Sequence, residues 1–108
     1  MAKKHRQVRS FWANGKRFLV ALRKNLRNEG EQLWGRIDYD EGNKVWIDSQ
    51  AAEETLLDTR IHEFTHAFFD AGSRRLLHED TVDLFATDLM RFLWRCGYRC
   101  PGDDEWGD

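Results

Sequence analysis

At 108 residues the chain is long enough for one core and no more, and we expect a single domain over 1–108. With 41% hydrophobic and 33% charged residues the balance is that of a soluble globular protein, not a disordered one. A formal net charge of -2 gives no general affinity for nucleic acid, and no apolar run reaches the length of a membrane span. The N-terminus also lacks the apolar stretch of a signal peptide, so a cytoplasmic location is expected, with Cys96 and Cys100 as free thiols.

Residues 1–10 read as a basic flexible arm: Ala2–Arg9 is AKKHRQVR, with no apolar face to bury. Asn14-Gly15 marks a turn before a first strand, Lys16–Arg23. Asn25–Glu31 is polar and reads as a loop. Leu33–Tyr39 and Lys44–Asp48, joined by the turn sequence Asp40-Glu41-Gly42-Asn43, form a hairpin. Val45 and Ile47 should face one side of it, with Lys44, Trp46 and Asp48 on the other.

Asp48 or Ser49 can cap the next helix, and Glu53 and Glu54 lie in its first turns, where the dipole favours carboxylates. Leu57, Ile61, Phe64, Phe68 and Ala71 recur at helical spacing and form the expected buried face, with His62 and His66 along its flank. Gly72 stands where a helix ends. After a short connection, Glu79–Cys96 reads as a second helix, with Val82, Phe85, Ala86, Leu89, Phe92 and Leu93 inward and Gly97 as its stop. Residues 99–108 hold four acids and read as a loose tail, with Trp106 as its anchor.

Within the first helix, His62-Glu63-Phe64-Thr65-His66 is H-E-x-x-H. Four residues is just over one turn, so both imidazoles project from one side and can hold one cation. Glu63 lies beside the pair, where a carboxylate can take a proton from water activated by the metal. A catalytic zinc site needs a third protein ligand. Glu79, Val82, Asp83 and Ala86 share the second helix's inward face, whereas Asp80 and Asp88 do not. Glu79 can therefore complete the set, and Asp83, one turn on, can accept the N–H of a ligand histidine. His78 is the other candidate for third ligand and leaves a three-histidine site open.

The pair H-E-x-x-H and Glu79-Asp80-Thr81-Val82-Asp83, an E-x-x-x-D, resembles the gluzincin metallopeptidases of the thermolysin-like clan. A strand ending in G-x-I-D, a turn, a V-x-I-D strand and the H-E-x-x-H helix extend the likeness over Leu33–Arg95. That layout resembles small bacterial and phage peptidases of the ImmA/IrrE-like type. Only twelve residues separate His66 from Glu79, which calls for a tight helical hairpin.

The resemblance implies an α+β, zincin-like fold, with a sheet of about three strands packed on the H-E-x-x-H helix and a second, glutamate-bearing helix. It implies one zinc ion per chain on His62, His66 and Glu79, with Asp83 supporting a histidine and Glu63 as general base in peptide hydrolysis. A protein or peptide substrate would lie along Lys44–Asp48 (Lys44, Val45, Trp46, Ile47, Asp48) as an added edge strand. So little chain remains for a cleft that a narrow regulatory protein target is expected, and a regulatory partner protein is a further candidate. None of His78, Tyr98 and Tyr39 is singled out as a second oxyanion donor. The competing expectation is a catalytically weak zincin-fold binding module, repressor- or toxin-associated, of a phage or mobile element.

Overall fold

The computed structural model describes residues 10–28 and 30–99. Most of the basic arm and acidic tail, with Cys100 and Trp106, therefore lies outside the described residues. At the margins the structure departs from those assignments. Ser10 opens a strand, β1 (Ser10–Ala13), and Arg99 folds back on the second helix, its guanidinium 3.6 Å over the Trp94 ring.

Asn14 and Gly15 take φ of 52° and 75°, the paired left-handed conformation of a two-residue hairpin turn, and so pair β1 with β2 (Lys16–Arg23). The expected polar loop contains a small hairpin of its own, β3 (Arg27–Asn28) with β4 (Glu31–Gln32). β5 (Gly35–Asp38) and β6 (Lys44–Asp48) form the expected antiparallel hairpin, β5 being shorter than its sequence pattern.

The main sheet has four strands in the order β1-β2-β6-β5. β2 runs parallel to β6, with Val20 beside Val45 and Leu22 beside Ile47. This corrects the placing of Lys44–Asp48 at an edge. The strand is hydrogen-bonded on both sides and cannot accept a substrate strand. Its hairpin with β5 was legible locally, but the return of β2 along its other side is a long-range pairing that alternation alone does not reveal. β1 and β5 are the edges. Asp48 has a separate job: fully buried, it accepts the amides of Leu26 (3.0 Å) and Gln50 (2.8 Å) and ties the preceding loop to the sheet. The helix cap falls to Ala52, which has no capping side chain.

Phe18, Val45 and Ile47 form the core with Leu56 and Ala67 of α1 (Glu53–Phe69), and Phe11 stacks on Phe18. The helix buries a different face from the expected one. Leu56, Thr59, Glu63, His66 and Ala67 are buried, while Phe64 and Phe68 remain about half exposed and Ala71 lies beyond the helix. Apolar residues surround α1 on most sides, so the stripe did not single out the face the sheet takes. α1 ends at Asp70, and Gly72 (φ 61°) forms the turn between Ala71 and Arg74.

α2 (Glu79–Arg95) packs on α1 through Val82, Ala86 and Met90, leaving Phe85 and Phe92 outside. Gly97 (φ 94°) closes it: its N–H donates to Trp94 O and the Tyr98 N–H to Leu93 O, both at 3.0 Å, a Schellman end. Neither helix is long and apolar enough to cross a membrane.

Candidate metal centre

α1 presents His62 and His66 one turn apart, and the hairpin turn brings the first residue of α2 against them. His62 Nε2 lies 3.2 Å from His66 Nε2 and 3.2 Å from Glu79 Oε2, while His66 Nε2 lies 2.8 Å from Glu79 Oε1. Ligands about 2.0–2.1 Å from a tetrahedral ion stand about 3.3 Å from one another; the two histidine nitrogens match that separation, and the Glu79 contact to His66, at 2.8 Å, is shorter. Of the His, Cys, Asp and Glu groups among the described residues, these three gather their donor atoms within 4.8 Å.

His78 does not join them. It is the N-cap of α2, its Nδ1 accepting the Asp80 N–H at 3.2 Å, and its ring is largely exposed. The helix start that turns Glu79 inward turns His78 outward. Asp83 stands where the E-x-x-x-D spacing puts it, with Oδ1 3.0 Å from His62 Nδ1. A proton on Nδ1 then leaves the Nε2 lone pair for a cation.

Two residues at the site were not anticipated. Asp70, one turn after His66, is buried and places Oδ2 3.6 Å from His66 Nδ1. Tyr39 Oη donates to the same Oδ2 at 2.6 Å, so Tyr39 braces this carboxylate. Burial, then the bond to Asp70, pushes the Tyr39 phenol well above its usual range. Arg75 donates from Nη1 to His66 Nε2 (2.8 Å) and Glu79 Oε1 (3.2 Å), and its Nε lies 3.3 Å from Asp70 Oδ2. A cationic nitrogen thus already sits among the ligand atoms. The available signal was spacing for Asp70, four residues after His66; Arg75 lies in the turn before α2, where helical spacing gives none.

Charge state follows from these neighbours. Burial, then the positive charge of Arg75, lowers the His66 pKa against the opposing Glu79 carboxylate and favours the neutral ring a metal needs. For Glu79, burial acts upward, but His62, His66 and Arg75 together hold the carboxyl below its ordinary range. Glu63 is 6% exposed, and burial pushes its carboxyl up to about 8, with Glu79 and Asp70 adding and Arg75 opposing. It faces β5 at Gly35, where a Cβ would come within 2.9 Å of Glu63 Oε2 and 2.5 Å of Thr59 Cγ2. Glycine at this position lets the edge strand approach the helix. Between them opens a cleft of about 250 Å³, whose walls include Trp34, Asp58, Thr59, His62, Glu63 and Asp83.

No protein-family profile, curated protein or solved structure matches the chain.

Proposed function

We propose that the protein is a zinc metallopeptidase of gluzincin type, its α+β fold a small zincin-like one. The observation that carries this is the convergence of His62, His66 and Glu79, their donor atoms within 4.8 Å of one another, beside the buried carboxyl of Glu63, which opens onto a cleft. When bound, zinc supplies a Lewis acid that activates water and polarises the scissile carbonyl.

The chain's own residues do the rest. Asp83 orients His62 through Nδ1, and Asp70, braced by Tyr39, lies beside His66. Glu63 takes a proton from the attacking water as the new C–O bond forms. It returns that proton to the departing amine as the C–N bond breaks. The free edge of β5, next to Gly35, replaces β6 as the place where a peptide adds as a further strand.

Metal analysis paired with a quenched-fluorescence peptide library tests this. Protein purified without chelator should carry about one zinc per chain. His62→Ala or His66→Ala should lose it. Glu63→Gln should keep the metal and lose about 100-fold or more in cleavage rate. Parental protein without metal, or Glu63→Gln cutting at the parental rate, would sink the proposal. Metal in both with cleavage by neither would favour the binding module.

A further inference from the structure

The cleft beside Glu63 has a charge pattern of its own. Asp58 and Asp83 stand on α1 and α2, and Glu63 lies between α1 and the edge strand β5. No lysine or arginine is among the residues lining it. Arg75, the cation of the metal centre, lies against His66 and Asp70 instead.

Neither aspartate has a lysine or arginine partner among the described residues. Asp58 Oδ2 accepts the Thr87 hydroxyl at 3.2 Å and makes no ion pair among the described residues. Asp83 uses Oδ1 on His62. Glu63, more than nine-tenths buried, lines the cleft with no hydrogen bond or ion pair among the described residues. Trp34, 45% exposed, forms part of the rim with its ring available to an aliphatic stem or a cation. The volume of about 250 Å³ is below the usual range for whole small-molecule ligands and suits one long side chain.

Building on the peptidase assignment, we propose that this cleft selects a lysine or arginine side chain next to the scissile bond, its charge held by Asp58 and Asp83 and its stem lying on Trp34. The substrate class is then a basic peptide segment. A glutamate in the same position meets like charge, and an uncharged side chain leaves Asp58 and Asp83 without their partner.

The test separates selection from catalysis by measuring binding to Glu63→Gln, which leaves bound peptide intact. The probes are peptides Ala-Ala-Xaa-Ala-Ala, dye-labelled at the N-terminus and amidated at the C-terminus, with Xaa as Lys, Arg, Gln, Leu or Glu. Anisotropy should show the Lys and Arg peptides binding about tenfold tighter than Gln, with Glu weakest. The margin should shrink as salt rises. Adding Asp58→Asn, which keeps the acceptor for Thr87, should cut the Lys-to-Gln preference to about twofold, with helix content by circular dichroism unchanged. Equal affinities, a preference for Leu or Glu, no binding by any peptide, or a preference indifferent to Asp58→Asn would each overturn the proposal. Selective binding of basic peptides by Glu63→Gln, with the parental protein cutting none of them, supports the charge selection by this cleft while removing the peptidase assignment.

Discussion

Arg75 places a guanidinium nitrogen 2.8 Å from His66 Nε2 and 3.2 Å from Glu79 Oε1, so its charge opposes any divalent cation entering there. Asp83 does the reverse, holding the His62 proton on Nδ1 and leaving Nε2 free to ligate. Single substitutions should therefore move zinc affinity in opposite directions. Arg75→Gln should tighten zinc by about three- to tenfold, the gain being limited because Arg75 is half exposed and screened. Asp83→Ala should weaken it by about 10–100-fold. Competition with a chromogenic chelator measures both. Weaker zinc binding by Arg75→Gln would show the guanidinium supporting the ligands and not opposing the ion.

At the level of elements, the approach of β5 to α1 rests on one missing side chain. A Cβ at position 35 would stand 2.5 Å from Thr59 Cγ2 and 2.9 Å from Glu63 Oε2, so strand and helix must separate to accept it. Gly35→Ala should cost about 1–3 kcal/mol in urea unfolding, and it should slow cleavage by displacing Glu63. Thr59→Ser removes the closest obstructing methyl, so the double substitution should recover part of that loss. A Gly35→Ala protein as stable as its parent would mean that β5 is not seated this close. The sequence carried the β5–β6 hairpin, the bounds of β2 and the spacing that brings His62, His66, Glu79 and Asp83 together, because each depends on local periodicity. It did not carry the central place of β6, which depends on a parallel partner 25 residues away, Val20 beside Val45. Nor did it carry the buried face of α1, where the sheet and α2 cover two sides of a helix with phenylalanines on a third. Arg75 was missed because its role arises from the turn between the helices, where no regular period applies.

For the whole molecule, the buried carboxyl of Glu63 links folding to pH once metal is removed. In the chelator-treated protein its pKa stands near 8, against an ordinary 4.5 for the unfolded chain, since burial penalises the charge and Glu79 and Asp70 add to it while Arg75 opposes. Between those values the folded state keeps a proton that the unfolded state has lost. The resulting stabilisation is complete below 4.5, declines as pH rises and is gone above 8. His66 works the other way: its folded pKa is lowered from 6.5, so its contribution increases with pH up to 6.5 and then levels off. From pH 6.5 to 8 the Glu63 effect therefore stands clear of it, with a slope of at most about 1.4 kcal/mol per pH unit for one proton. Urea unfolding in the presence of chelator should show stability falling across this interval. Glu63→Gln, with nothing to ionise at that position, should remove the decline. Parent and variant following the same curve would mean that Glu63 is already ionised in the metal-free fold. Zinc should reverse the trend, because a cation beside the carboxyl favours its ionised form. Binding at pH 7 should then release a proton from the parent beyond any released by Glu63→Gln, which calorimetry in buffers of different ionisation enthalpy would detect.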